Sequence, residues 1–228
     1  MSQIEFVNVS KTYDSNVTAL KNVSFSIEDG EFVFLVGPSG AGKSTLVKML
    51  IKEEAPDDGD ILFRGQSILN IKKDDVSNLR RHIGVVFQDF KLLPSKNIYE
   101  NVSIALEVVD TPDRVIKTIV PNVLSMVGLA DKMFKYPYQL SGGEKQRVSI
   151  ARALAHEPDV IIADEPTGMI DPAASDTVIE ILEKINTLGA TIVMATHDQN
   201  VVNRMKKRVI RIENGLLKSD KKGGKYNG

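Results

Sequence analysis

A glycine-rich loop between an apolar strand and a helix constrains this chain more than any other feature of its sequence. Residues 37–45 read Gly-Pro-Ser-Gly-Ala-Gly-Lys-Ser-Thr and follow the apolar run Phe32–Val36. They match the pattern G-x-x-x-x-G-K-[ST], and helix-period apolar residues follow at Leu46, Met49 and Leu50. The order of strand, loop and helix favours a phosphate site over the competing interpretation, a glycine-rich turn before a surface helix.

The residue types of this loop predict its chemistry. Glycines let the backbone curl so that N–H groups point into one concavity, and the following helix adds the positive end of its dipole. Such a concavity fits the β- and γ-phosphates of a nucleotide, Lys43 adds a point charge, and the Ser44 hydroxyl is placed to hold Mg²⁺. The predicted nucleotide-binding residues of the loop are Gly37, Ser39, Gly40, Ala41, Gly42, Lys43, Ser44 and Thr45.

Two adjacent carboxylates end a second apolar run, residues 160–163. Ligands of open α/β folds bind at the carboxyl edge of the sheet, so we expect Asp164 and Glu165 on the phosphate side. Asp164 is a candidate Mg²⁺ ligand through water, and Glu165 a candidate general base for the attacking water. Because Pro166 disfavours helical backbone before it, we expect the strand geometry to persist through Glu165. The alternative is a solvated acidic turn.

The order of apolar runs predicts the fold class. Strands alternating with helices favour an α/β core with a mainly parallel sheet, and the runs up to about Ile27 favour an antiparallel flank. The predicted strands are residues 4–9, 23–27, 32–36, 83–87, 160–163, 191–195 and 209–212. The predicted helices of an inserted helical subdomain are residues 98–108, 114–127 and 144–155. The predicted organisation is a core of residues 1–95 and 156–217, a helical subdomain of residues 96–155 and a flexible tail of residues 218–228.

Composition excludes several classes of function. Lys plus Arg is 29 and Asp plus Glu is 30, so the net charge of -1 offers no bulk attraction to nucleic acid or an acidic membrane. The absence of cysteine excludes disulfides and thiolate metal sites. No apolar run approaches the roughly 20 residues that a membrane span needs, and the N-terminus does not resemble a signal peptide. We therefore expect a soluble protein of the cytoplasm that binds no nucleic acid.

A third motif, residues 140–144, reads Leu-Ser-Gly-Gly-Glu. As local structure it predicts a capping box, with Ser141 as N-cap and Glu144 three residues later. It also matches the signature motif of ABC transporter-type ATP-binding subunits, and the chain resembles that family from about residue 4 to residue 217. The resemblance implies that Ser141, Gly142, Gly143 and Glu144 bind the γ-phosphate of ATP held by a second copy. It thus implies ATP and Mg²⁺ as cofactors and a homodimer formed on ATP binding.

Other positions match this family one by one. Gln88 resembles the glutamine that touches Mg²⁺ and the attacking water, and His197 resembles the histidine that contacts the γ-phosphate. Tyr13 lies where the family stacks an aromatic ring on adenine. Asp171 fits the aspartate after the catalytic strand, with Ile170 before it in place of the commoner leucine. Tyr13, Gln88 or His197 taken alone is better explained by packing, but their order and spacing together favour the functional interpretation.

Within the superfamily, residues 84–94, 99–102 and 194–198 look most like the FtsE family of bacterial cell-division ATP-binding proteins. This resemblance implies an FtsX-like integral membrane partner, control of cell-wall hydrolysis, and a place on the cytoplasmic face of the membrane at the division site. Phe90, Leu92, Leu93 and Pro94 are the candidate docking residues, although the same four suit packing beneath the helical subdomain. The alternative family members are ATPases of lipoprotein, lipid or macrolide-type exporters.

Two other classes of function fit less well. A soluble ABC-type ATPase of DNA repair or translation would show long coiled-coil heptads, a tandem second ATPase or a basic surface, and the sequence has none of these. A nucleotide sensor without turnover would have a broken catalytic set. Here Lys43, Gln88, Asp164, Glu165 and His197 are all intact.

Overall fold

A computed structural model describes residues 2–13 and 17–226. It contains two compact units, residues 1–80 with 189–228 and residues 81–188. The strands are β1 (Ser2–Tyr13), β2 (Val17–Glu28), β3 (Phe32–Val36), β4 (Asp58–Phe63), β5 (Gln66–Ser67), β6 (Ile83–Val86), β7 (Val160–Asp164), β8 (Thr191–Thr196), β9 (Arg208–Glu213) and β10 (Leu216–Lys221). The α-helices are α1 (Lys43–Leu50), α2 (Val76–Arg81), α3 (Ile98–Glu107), α4 (Asp113–Met126), α5 (Gly142–Leu154), α6 (Pro172–Thr187) and α7 (Gln199–Met205).

The first unit contains the predicted antiparallel flank and part of the parallel sheet. The flank has the strand order β2-β1-β4-β5, and all its pairings are antiparallel. In the other group of strands, β3 lies between β8 and β9, parallel to both, and β10 adds to β9 in the antiparallel sense. Every residue of β3 and β8 is buried, as expected for parallel strands covered on both faces.

The second unit combines a parallel strand pair with helices. β6 pairs in parallel with β7, with Ile83 opposite Val160 and Val86 opposite Ala163. The predicted helices of residues 98–108, 114–127 and 144–155 correspond to α3, α4 and α5, and residues 96–155 contain no strand. The two units divide the chain at other positions than the predicted subdomain boundaries, so a separate helical subdomain of residues 96–155 stays a prediction.

The C-terminal segment differs from the prediction of a flexible tail beginning at residue 218. Strand β10 continues to Lys221, and the Gly224 N–H donates to the Lys207 carbonyl oxygen at 3.1 Å. The sequence of β10 is polar and mostly exposed, so no apolar pattern marks it. Its pairing with β9 holds it instead, together with Asp220, whose carboxylate accepts two hydrogen bonds from Arg208 at 2.7 and 2.6 Å. Arg208 also pairs with Glu31 at 2.8 Å.

Across residues 2–13 and 17–226, no helix combines the length and the apolar character that crossing a membrane requires.

Candidate nucleotide site

The phosphate loop connects β3 to α1 in the first unit. Gly37, Gly40 and Gly42 have φ angles of 153, 76 and 108°, which glycine adopts more readily than other residues. Lys43 is buried, and its Nζ donates to the carbonyl oxygens of Gly37 at 2.7 Å and Pro38 at 3.2 Å. The lysine ammonium therefore lies against the backbone of its own glycine loop.

Strand pairing brings His197 to the same sheet edge as this loop. Val36 at the end of β3 is paired with Thr196 at the end of the parallel strand β8. The next residues, Gly37 and His197, consequently leave the sheet side by side. Ser44 is the second residue of α1, and its exposed side chain is accessible to a metal ion. The first unit thus contains the whole predicted phosphate loop and the predicted histidine.

Tyr13 lies at the end of β1, close to the start of α1. Its hydroxyl oxygen is 3.4 Å from Oγ1 of Thr45, the last residue of the phosphate motif. The ring is half-buried, and the Lys11 ammonium lies 5.7 Å from its centroid. This position supports the prediction that Tyr13 faces the nucleotide.

Asp57 holds this end of β1, although no sequence motif marks it as part of the site. One carboxylate oxygen accepts a hydrogen bond from the Thr12 N–H at 2.6 Å, and the other accepts one from Lys11 Nζ at 3.1 Å. The pKa of Asp57 lies below its usual value, mainly because of the hydrogen bond from the Thr12 N–H and secondly because of the one from Lys11. The segment Pro-Asp-Asp-Gly at residues 56–59 does signal a turn. That signal gives no indication of the strand to which the turn binds.

The predicted catalytic residues of the second unit lie beyond the paired strands β6 and β7. Val86 is opposite Ala163, so Gln88 and Glu165 each follow a paired residue by two positions. A Cβ at Gly168 would lie 2.9 Å from Nε2 of Gln88 and 3.4 Å from the carbonyl oxygen of Glu165. The loop after β7 therefore approaches Gln88 closely. Gln88 is exposed, and Asp164 and Glu165 are half-buried.

The backbone at Glu165 corrects one prediction. β7 ends at Asp164, and Glu165 has a φ of 49°, so the expectation that strand geometry persists through Glu165 was wrong. The Glu165 carbonyl oxygen accepts a hydrogen bond from the Gly168 N–H at 3.1 Å, which closes a turn. This turn outweighs the extended preference that Pro166 imposes on the residue before it. Holding a non-glycine residue in this region costs about 1–3 kcal/mol, and such strain is frequent at functional sites.

The signature motif begins α5, and the predicted capping box is confirmed. The Ser141 N–H donates to Oε2 of Glu144 at 2.9 Å, and the Glu144 N–H donates to Oγ of Ser141 at 3.3 Å. A Cβ at Gly143 would lie 2.4 Å from Cβ of Ala174, so this glycine permits close packing of α5 on the start of α6. Asp171 is the N-cap of α6 and accepts the Ala174 N–H at 3.0 Å.

Lys132 is a second residue near a predicted site that no sequence motif marks. It ends a short 3-10 turn, Ala130–Lys132, and its ammonium pairs with Oε1 of Glu144. The pKa of Glu144 is lowered, first by this ion pair with Lys132 and then by the hydrogen bond from the Ser141 N–H. No local sequence pattern links a lysine to a glutamate 12 residues later across a loop.

The candidate docking residues follow Gln88 in the second unit. Phe90 and Leu92 are half-buried, whereas Leu93 and Pro94 are exposed. Asn101 of α3 holds the backbone of Leu93 by accepting its N–H at 2.7 Å and donating to its carbonyl oxygen at 3.1 Å. The Leu93 side chain is thereby presented at the surface of the unit by a fixed backbone.

Comparison with known proteins agrees with these motifs. The ABC transporter family matches residues 20–168. The chain is 52% identical to the cell division ATP-binding protein FtsE of Bacillus subtilis (strain 168), covering 98% of each protein. It is 50% identical to the protein of that name from Streptococcus pneumoniae serotype 2, covering 99% of this chain and 98% of the relative.

A solved structure of a dimeric ATP-binding cassette in a post-hydrolysis state, bound to ADP and Pi, superposes with a TM-score of 0.85. It is 34% identical to this chain over 99% of both chains. The chain belongs to the ABC transporter family of ATP-binding proteins and, within it, is an ATP-binding protein of the FtsE type.

Proposed function

We propose that this chain is the ATP-hydrolysing subunit of a bacterial cell-division complex, which dimerises on binding ATP and drives an FtsX-like integral membrane protein. The assignment of ATPase activity rests on the buried Lys43 side chain, whose ammonium lies in the glycine loop before α1. The assignment to cell division rests on the FtsE relatives named above. They do not favour the alternative, an ATPase of a lipoprotein, lipid or macrolide-type exporter.

The roles in hydrolysis follow from the chemistry of each residue. The loop N–H groups and Lys43 bind the phosphates, and Tyr13 stacks on the adenine. Ser44, Gln88 and Asp164 are suited to holding Mg²⁺, because hydroxyl, amide and carboxylate oxygens are its preferred ligands. When bound, Mg²⁺ neutralises charge on the phosphate oxygens. Glu165 takes the proton of the attacking water, and His197 contacts the γ-phosphate.

Dimerisation supplies the remaining part of the site. The α5 N-terminus presents backbone N–H groups and a positive dipole end, which suit a phosphate. We assign this helix start, Ser141, Gly142, Gly143 and Glu144 of one copy, to the γ-phosphate of ATP held in the phosphate loop of the other. Glu144 contributes as part of the first helical turn and not through its carboxylate. ATP then has a higher affinity for the closed dimer, and cleavage of the γ-phosphate releases the two copies.

The membrane partner transmits this opening and closing. The chain contacts the membrane through that partner, at the cytoplasmic face and at the division site. We assign docking to Phe90, Leu92, Leu93 and Pro94, because these apolar side chains follow Gln88 directly and two of them are exposed. The output is a mechanical change that switches cell-wall hydrolases on.

Two substitutions test the ATPase part of this proposal. Glu165→Gln keeps the side-chain shape and removes the base, so it should bind ATP and slow hydrolysis by about 10² to 10⁴-fold. Lys43→Ala should weaken ATP binding itself. Steady-state phosphate release and equilibrium nucleotide binding measure the two effects, and hydrolysis by Glu165→Gln within a few-fold of the parent would remove Glu165 as the base.

The division part is tested in the native cell. Depletion should produce filamentous or misshapen cells, and the protein should co-purify with a small integral membrane partner. Normal division together with accumulated cargo or drug sensitivity would support an exporter instead. Phe90→Ser with Leu93→Ser should abolish that co-purification while ATP binding persists, and loss of both would assign these residues to core packing.

A further inference from the structure

The signature motif carries a negative charge where the proposed function needs to attract an anion. Glu144 is in the first turn of α5, and its side chain is 17% exposed. Its pKa lies below the usual glutamate value, so the carboxylate is ionised at neutral pH. A carboxylate at this position competes with an incoming phosphate for the positive end of the helix and repels it.

Lys132 offsets this charge. Its ammonium pairs with Oε1 of Glu144, while Oε2 accepts the Ser141 N–H at 2.9 Å. Both carboxylate oxygens are therefore engaged with donors of the second unit. The lysine comes from the turn before the motif, outside the Leu-Ser-Gly-Gly-Glu sequence itself.

We propose that Lys132 is a positioning residue of the signature site: it neutralises Glu144 and keeps its carboxylate in the capping box, so that the α5 N-terminus accepts the γ-phosphate carried by a second copy. This inference rests on the proposed ATP-dependent dimer. Lys132 acts through Glu144 and needs no contact of its own with the nucleotide.

The same unit contains a matched control. Asn97 and Glu100 form a capping box at the start of α3, in which Oε2 of Glu100 accepts the Asn97 N–H at 2.8 Å. Lys96 pairs with Oε1 of Glu100 at 3.2 Å. Lys96→Met thus removes the same kind of ion pair from the same kind of cap. It does so on a helix that carries no signature motif.

The test uses the Glu165→Gln protein, in which ATP is not consumed. Into it we would introduce Lys132→Met, Lys132→Arg, the pair Lys132→Met with Glu144→Gln, and Lys96→Met. Light scattering over a range of protein concentrations, with Mg²⁺ and saturating ATP, gives the dimer dissociation constant. A fluorescent ATP analogue at low protein concentration gives the nucleotide affinity of the monomer.

The expected results separate charge compensation from simple stability. Lys132→Met should raise the dimer dissociation constant by about fivefold or more with unchanged monomer affinity for nucleotide, because the first turn of the helix that receives the phosphate then carries an uncompensated carboxylate. Lys132→Arg and Lys96→Met should match the parent. Adding Glu144→Gln to Lys132→Met should restore dimerisation to within about twofold, because no charge is then left to compensate.

Two outcomes would overturn the inference. The first is dimerisation of Lys132→Met equal to that of the parent. The second is a failure of Glu144→Gln to restore it, since a purely structural loss would persist or worsen in the double variant. If the parent Glu165→Gln protein itself stays monomeric at high concentration in saturating ATP, that result contradicts the proposed dimer and therefore also this inference.

Discussion

Arg152 of α5 fixes the backbone of Phe90, donating from Nη2 to its carbonyl oxygen at 2.9 Å. Nη1 donates to the carbonyl oxygen of Lys91 at 2.6 Å. Phe90 and Lys91 have φ angles of 60 and 49°, and two successive non-glycine residues rarely adopt such angles without tertiary partners. Desolvation lowers the pKa of Arg152, but a guanidinium stays charged. The helix that begins with the signature motif thus holds the chain directly after Gln88.

Arg152→Met should loosen the segment after Gln88, because two strained residues lose their hydrogen-bond donors. We expect a stability loss of about 1–3 kcal/mol and faster hydrogen exchange at residues 88–94. Arg147 of α5 is the matched control, since its Nη1 donates to the carbonyl oxygens of Val127 at 2.8 Å and Gly128 at 3.3 Å. Arg147→Met should leave exchange at residues 88–94 unchanged, and equal exchange in both variants would contradict the specific role of Arg152.

Two glycines of the phosphate loop should respond differently to alanine. Both have positive φ, but a Cβ at Gly40 meets nothing within 4 Å, whereas a Cβ at Gly42 would lie 2.5 Å from the Ala19 carbonyl oxygen. Gly40→Ala should cost only about 1 kcal/mol of backbone strain. Gly42→Ala should cost clearly more and weaken ATP binding. Urea unfolding of the two variants measures the difference in unfolding free energy. Equal losses of stability would show that the backbone around Gly42 shifts at little cost to admit a Cβ.

Tyr13 should contribute to ATP affinity through its ring, and Asp57 through the two residues before Tyr13 that its carboxylate binds. Tyr13→Ala should lower ATP affinity by about 1–3 kcal/mol, the usual size of one aromatic stacking contact, while Tyr13→Phe retains most of it. Asp57→Ala should raise the KM for ATP severalfold with little change in kcat, since it frees the Thr12 N–H and Lys11. Steady-state kinetics provide the measurement. A fall in kcat at unchanged KM would contradict a role in binding the adenine.

The Lys132–Glu144 ion pair should make stability depend on acid pH. Because the folded protein holds the pKa of Glu144 below its unfolded value, the stabilisation is full above the unfolded pKa of 4.5. It is lost as the pH falls through the lower folded pKa, where Glu144 takes up a proton in both states. The parent should therefore exceed Lys132→Met in unfolding free energy at pH 7, and the difference should be smaller at pH 3, which lies below the unfolded pKa. A gap of equal size at both pH values would exclude the ion pair as its cause.

The features predicted correctly from the sequence are those that one short segment determines. The strand, loop and helix around residues 37–45, the end of strand β7 at Asp164 and the capping box at Ser141 each depend on one short run of residues, and their backbone chemistry is local. Strands β3 and β8 are recognisable in the same way, because both of their faces are buried and four or more of their residues in succession are apolar. Strand β10 has no such pattern.

Tertiary structure alone decided how the local motifs are held. Asp57 reaches Thr12 across 45 residues, Arg152 reaches Phe90 across 62, and Lys132 reaches Glu144 across 12. Each contact joins a charged side chain to a partner on another element, and a single sequence does not encode which elements will be neighbours. The left-handed backbone of Glu165 has the same origin, because a turn closed by Gly168 outweighs the local preference of a residue before proline. Short sequence motifs thus predict which chemical groups the candidate site contains. The positions of its charged side chains depend on packing between segments that are distant in the sequence.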